Sequence, residues 1–427
     1  MTPRLSGRIG RRPVAVALWG ALLALVVLAG CDGTTPASNA SHRIRGSRLS
    51  VYVSLPRIGP SRWSGQAVLN GVRMALADAH GAVGHYRVVL HPLNDATVSS
   101  RGWNPGQTTV NARAAIKDAS TIGYIGDLNS GATAVAIPLL NRADVPQISP
   151  TSTAVGLTEG GLEAAPGEPQ KYYPTKQRTF VRVIPSDRIQ SAVQVQVQRE
   201  ADCDRIVVLD DGEVDGTDAA VSFDYAAQQA GLKVVSTIQY NPNATSYTSL
   251  AKGIAKKHPT CVMISALPQS HPVALTEAVA RTLPEADLFA TAGLAEPSYV
   301  DPSHGGIPVA LDPRVTITAG MLGPQDYPAA GQQFLRTYAK RYGSVQSGAI
   351  FGYAAMSLLL NAIHAATAEE GHQVTRSSVL AQLVRTRDLP SVLGIYSIDS
   401  HGDTTLDQFG VYHLVAGQLM FWQARRG

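Results

Sequence analysis

The sequence predicts an α/β protein built as two doubly wound parallel-sheet lobes, and three observations predict it. Short β-branched runs alternate with segments of helical period, the pattern of parallel strands covered by helices. The series is interrupted by the Pro/Gly-rich stretch Glu163-Ala-Ala-Pro-Gly-Glu-Pro169, a surface excursion, and it restarts after Pro185. The chain, at 427 residues, is long for one domain and ample for two such lobes.

The first series reads as strand Leu49–Ser54, helix Gly65–Ala79, strand Tyr86–His91 and a helix around Thr108–Ala119. Strand Thr121–Ile125, helix Ala132–Arg142 and the short strand Pro146–Ile148 complete it. In its first helix Val68, Val72, Ala75, Leu76 and Ala79 recur at helical spacing and give one apolar face for a sheet. The second series runs strand Arg205–Leu209, helix Ala219–Ala230, strand Lys233–Ile238, helix Thr248–Lys257 and strand Cys261–Ser265. Helix Pro272–Arg281 and strand Ala286–Ala290 follow. From Val315 come one more strand, helices near Ala329–Tyr342, Gly348–Ala368 and Ser377–Arg385, and two or three strands within Val392–Trp422.

The N-terminus reads as an export signal. Arg4, Arg8, Arg11 and Arg12 precede an apolar run from Val14 to Leu28, too short and too rich in small residues for a membrane span. The run ends in Leu28-Ala29-Gly30-Cys31, which resembles the lipobox of bacterial lipoproteins, where the cysteine thiol is acylated and becomes the new N-terminus. Residues 1–30 are therefore expected to be removed. Residues 31–46, small and polar without apolar period, are expected to tether the body to the membrane. The four arginines also account for the formal charge of +4. Without them, 32 basic side chains balance 32 acidic ones, so the mature protein has no basic footprint for a nucleic acid.

Cys203 and Cys261 are the other two cysteines, each at the entrance of an apolar β-like run. An exported chain meets an oxidising compartment, which favours their pairing. In a doubly wound sheet of order 2-1-3-4-5 the first and third strands are neighbours, and both cysteines then lie at the edge opposite the strand C-termini. Enzyme signatures are missing: the sequence holds no G-x-S-x-G, H-E-x-x-H or G-x-x-x-x-G-K-[ST]. Asp211, Glu213, Asp215 and Gly216 mimic the start of a calcium loop, but its twelfth position is Ser222, which supplies no carboxylate. Neither a metal nor another cofactor is expected.

Several stretches, in order, resemble the leucine/isoleucine/valine-binding family of type I periplasmic solute receptors. They are Gly65–Ala79, Tyr124-Ile-Gly-Asp-Leu-Asn-Ser130, Ile148-Ser-Pro-Thr-Ser-Thr153, Phe180-Val-Arg-Val-Ile-Pro-Ser-Asp187, Phe334–Tyr342, Gly352-Tyr-Ala-Ala355 and Gly394–Asp403. The resemblance implies a three-stranded hinge, with crossings near Val183, Gly320 and Asp399, between lobe one (47–183 plus 321–398) and lobe two (184–320 plus 399–427). It further implies an extracytoplasmic monomer that catalyses nothing, captures a small carboxylate-bearing solute such as an amino acid and delivers it to an ABC permease. A sensor ectodomain, or a receptor for an amide or aromatic acid, fits the same residues.

The loop Asp127-Leu-Asn-Ser-Gly131 opens a helix at the strand C-termini, so Ser130 offers a hydroxyl and a free amide to an anion. Thr151 and Thr153 reach the same edge. Alone, these hydroxyls read as helix caps and turn formers; the resemblance places the ligand α-carboxylate on them. It also puts Val214 near the position of an expected tyrosine, and Glu296 near the acid that pairs with a ligand ammonium. Trp63, before the first helix, is a candidate cleft wall. Replacing the thiol tests the anchor: Cys31→Ser should move the protein out of the membrane fraction or stop its processing. Normal cleavage with retained anchoring would refute the lipid site.

Overall fold

The computed structural model describes residues 44, 46–369 and 373–427. Cys31, the expected signal segment and nearly all of the expected tether lie outside the described residues. The first sheet is built from β1 (Arg48–Leu55), α1 (Arg62–Asp78), β2 (Ala82–Val83), β3 (Tyr86–Asn94), α2 (Pro105–Lys117), β4 (Thr121–Gly126), α3 (Ser130–Arg142), β5 (Gln147–Ser149) and β6 (Phe180–Arg182). Its order is β2-β3-β1-β4-β5-β6, parallel but for the short β2. Local chemistry sets the ends of these elements. Asn104 caps α2 by accepting from the Gln107 amide at 3.0 Å, and Pro105 supplies a pre-set first helical φ.

The second sheet continues with α4 (Asp187–Glu200), β7 (Ile206–Asp210), α5 (Val214–Ala230), β8 (Val234–Gln239), α6 (Thr248–Ala255), β9 (Cys261–Ser265), α7 (Pro272–Thr282), β10 (Asp287–Ala290), α8 (Pro297–Val300) and β11 (Val315–Ala319). The chain then adds α9 (Ala329–Tyr342), α10 (Gly348–Glu369) and α11 (Arg376–Val384) to the first sheet's side, where α10 lies on α1. Side-chain-free contact makes that packing close. A Cβ on Gly71 would sit 2.0 Å from the Ala349 carbonyl oxygen, and one on Gly352 would sit 2.2 Å from that of Val68. The hairpin β12 (Leu389–Ser391)–β13 (Gly394–Tyr396) stands apart, while β14 (Gln408–Val415) and β15 (Gln418–Arg426) join the second sheet antiparallel. That sheet has the order β15-β14-β11-β10-β9-β7-β8. Both sheets thus carry the doubly wound 2-1-3-4-5 arrangement in their parallel strands.

The elements differ from the sequence reading most at α4, a 14-residue helix that the reading does not contain, and at α5, which starts at Val214 rather than Ala219. Asp215 falls in the first turn of this helix, with Glu213 at its N-cap, and Gly216 permits the start there. A Cβ there would lie 2.2 Å from Asp211 Oδ1 and 2.7 Å from the Ser265 carbonyl oxygen. The calcium-loop likeness ends on the same fact, because the segment from Val214 is helical.

The chain passes between the sheets three times: after Arg182, after Ala319 and between Tyr396 and Gln408. One buried ion pair ties two of these passages. Arg182 Nε donates to Asp403 Oδ1 at 2.7 Å, with the guanidinium fully buried. Its Nη1 donates to the Ser152 and Ala154 carbonyls and its Nη2 to the Thr158 hydroxyl.

Cys203 and Cys261 form a disulfide with their Cα atoms 5.6 Å apart. The bond follows from the strand order, since β7 and β9 are neighbours and Ile206 pairs with Cys261. The cross-link spans 58 residues, which in the loop-entropy account constrains the unfolded chain by about 4 kcal/mol. Replacing both cysteines by serine should therefore lower stability in urea by roughly 2–4 kcal/mol without changing the cleft, which lies at the other end of the strands. A double mutant as stable as the wild type would refute that contribution.

Candidate functional site

In open parallel sheets the strand C-termini and helix N-termini face a common crevice. Here the two sheets turn those ends toward each other, around a cavity of about 80 Å³. From the first sheet's side it is lined by Ser64, Thr151 and Thr153, and from the second by Asp187, Asp215 and Glu296. Leu267, Gly320 and Gly348 also line it.

Of the residues singled out in the sequence, the structure brings Thr151, Thr153 and Glu296 to this cavity. Ser130, Trp63 and Val214 lie outside its lining. Ser130 is fully buried, and both groups read as an anion seat are engaged by the chain itself. Its amide donates to Asp215 Oδ1 at 2.9 Å, and its Oγ accepts from the Ala154 amide at 3.2 Å. The Gly131 amide donates to Asp215 Oδ2 at 3.3 Å. The free amides at the start of α3 do hold a carboxylate, and it is one supplied by α5. Trp63 instead meets His304 edge-on at 4.9 Å, with the Arg62 guanidinium 3.4 Å over its ring. Val214 packs at the rim against the cluster of Ile137, Ala154, Leu157, Tyr172, Tyr173 and Phe180. Thr151 donates its hydroxyl to the Leu128 carbonyl at 2.7 Å, which fixes the loop rather than leaving a free donor.

The sequence reading missed Asp187, Asp215 and Gln190. Asp187 opens α4, its amide donating to the Thr153 carbonyl at 2.8 Å. Gln190, one turn on, donates to Asp187 Oδ1, while its Oε1 accepts from the Ala292 amide at 2.7 Å and the Thr318 hydroxyl at 3.0 Å. This amide orients Asp187 and the loop carrying Glu296 together. The available signal was an acid in the first helical turn just past the crossing at Val183. Asp218, one turn beyond Asp215, makes a second bond set between the sides, accepting from the Val155 amide at 2.7 Å and the Gly156 amide at 3.3 Å.

Electrostatically the site is acidic. Burial pushes the Glu296 carboxyl up to about 8, against the pull of the Ser64 hydroxyl and amide. Burial likewise raises Asp187, Asp215 and Asp218, and the charge of Asp187 adds to the rise at Asp218. One carboxylate oxygen of Asp187 and one of Glu296 have no hydrogen-bond partner among the described residues.

The model of the family described as periplasmic binding protein matches residues 51–417. The chain belongs to the periplasmic binding protein family. Members of this family are extracytoplasmic solute-binding proteins rather than enzymes, and they work with ABC transporters. The fold is similar to that of leucine-binding protein LivK from Thermotoga maritima, at 19% identity and a TM-score of 0.74, covering 88% of this chain and 99% of that one. It is also similar to a solute-binding protein from Rhodopseudomonas palustris in complex with p-hydroxybenzoic acid, at 17% identity and a TM-score of 0.71, over 89% and 97% of the two chains. A third likeness is LivJ from Streptococcus pneumoniae in complex with isoleucine, at 15% identity and a TM-score of 0.70, over 89% and 100%. No curated protein sequence gives a significant match. The type I periplasmic binding fold is therefore that of this chain.

In this member, the raised carboxyls tie stability to pH. A carboxyl whose folded pKa lies above its unfolded value contributes stability that is present below the unfolded pKa and lost as pH rises through the folded one. For Glu296 that window runs from the ordinary carboxylate range to about 8. The melting temperature of the empty protein should fall across it, and Glu296→Gln should flatten the fall. An identical pH profile for the mutant would contradict the assignment.

Proposed function

We propose that this chain captures a small amino compound, an amino acid or a molecule related to one, between its two lobes and delivers it to an ABC permease. The observation that carries the reading is the pair of buried, unpartnered carboxylate oxygens on Asp187 and Glu296, lining the same small cavity as Thr151 and Thr153. A buried carboxylate without a partner is costly, and an ammonium arriving between the two acids compensates it. Lobe one comprises residues 47–183 with 321–398, and lobe two 184–320 with 399–427. The lobes close by rotating on the segments near Val183, Gly320 and Asp399, and the solute shifts the balance toward closure by binding the closed form better. The protein acts as a monomer held to the outer face of the membrane through Cys31, and it catalyses no reaction.

A thermal-shift screen of mature protein against amino acids, amides, short peptides and aromatic acids tests this. A solute binding only the folded state adds about 2.7 kcal/mol at a hundred times its dissociation constant, which a melting curve resolves. At least one amino compound should raise the melting temperature in proportion to the logarithm of its concentration. A flat response to the whole panel would overturn the reading.

A further inference from the structure

The cavity carries charge of one sign. Asp187, Asp215 and Glu296 line it, and among the described residues no Lys, Arg or His does. The fully buried Arg182 is engaged by Asp403, Ser152, Ala154 and Thr158 and is not part of the lining. Asp187 and Glu296 are 1% and 5% exposed, and Asp187 Oδ2 and Glu296 Oε2 each lack a partner. The nearby feature that would draw an anion, the first two amides of α3, lies behind the lining and is already filled by the Asp215 carboxylate at 2.9 and 3.3 Å.

We propose that the solute is a small amine cation with no carboxylate of its own, its ammonium held between Asp187 and Glu296 while Asp215 occupies the carboxylate seat on Ser130 and Gly131. This rests on the solute-binding reading and narrows it. The reasoning is one of charge and room. A carboxylate brought in with the solute would meet three acids and no cation, with its expected amides taken. An ammonium supplies three donors to acceptors that have none. The cavity, at about 80 Å³, is small, which favours a compact amine over a peptide.

Isothermal titration of the mature protein with matched compounds separates the possibilities. The series is valine, leucine and phenylalanine, their C-terminal amides, their deaminated acids, and 1,4-diaminobutane. At least one amide or the diamine should bind, at about tenfold or more tighter than any amino acid or acid of the series. Glu296→Gln and Asp187→Asn should each weaken that binding by about ten- to hundredfold. Glu277→Gln, on a surface acid of α7 outside the lining, should leave it unchanged. Asp215→Asn should shift preference toward the zwitterionic amino acid, because the amides of Ser130 and Gly131 no longer hold a charge. If that variant does not fold, the series on the wild type decides alone. Tighter binding of an amino acid or an acid than of its amide overturns the cation and leaves the solute-binding reading standing. Binding of no member overturns both.

Discussion

The rest of the structure depends on the buried pair of Arg182 and Asp403, two residues 221 positions apart in sequence. Arg182 ends β6, where the chain leaves the first sheet, and Asp403 sits on the last passage between the sheets. The same guanidinium donates to the Ser152 and Ala154 carbonyls and the Thr158 hydroxyl, so it also fixes the loop that carries Thr153 to the cavity. Taking two charges out of water is expensive, and it is tolerated only when the buried donors find partners. Here four of the five guanidinium N–H groups of Arg182 have an oxygen partner. A crossing point fixed in this way can serve as a pivot while the bodies on either side move.

Carboxylates on backbone amides provide the second layer of organisation. Asp211 accepts from the Leu267 amide at 2.8 Å and the Glu213 amide at 3.0 Å, within the second sheet's side. Asp215 and Asp218, one helical turn apart on α5, do the same across the cleft to Ser130, Gly131, Val155 and Gly156. These charge-assisted bonds are among the stronger hydrogen bonds a protein makes, yet burial works against the ionised form of each acid. The contacts across the cleft are thus balanced between attraction to amides and the cost of desolvating charge. On the proposed reading, a ligand cation would tip that balance by neutralising acids that are otherwise held apart from water.

Much of the fold was legible because it rests on local rules. Alternating β-branched runs and helical periods marked most of the strands and helices, though not α4, and the restart after Pro185 marked the second sheet. The pairing of Cys203 with Cys261 followed from compartment chemistry and strand order together. The start of α5 was not legible. Asp211, Glu213 and Asp215 resemble in sequence the start of a calcium loop, whereas Gly216 lets the helix begin against Asp211, and Asp215 and Asp218 then reach across the cleft. Trp63 and Val214 lie outside the lining, on His304 and on the cluster around Tyr172, since a residue's position in the chain does not say which way its side chain turns.

The sequence by itself determined the class of protein: an α/β chain with an export signal pattern, two sheet-forming series, an apolar periodicity that puts helices on sheets, and strand ends that face a crevice. Those properties follow from nearest-neighbour chemistry and repeat along the chain. Only the tertiary structure decided which groups the cavity offers. The amides of Ser130 and Gly131 are equally available to a ligand or to a side chain, and the outcome turns on Asp215, which lies 85 residues away from Ser130 and reaches it only when the sheets face each other. Occupancy of a site is a competition settled by distance in space, and one-dimensional order does not contain that distance.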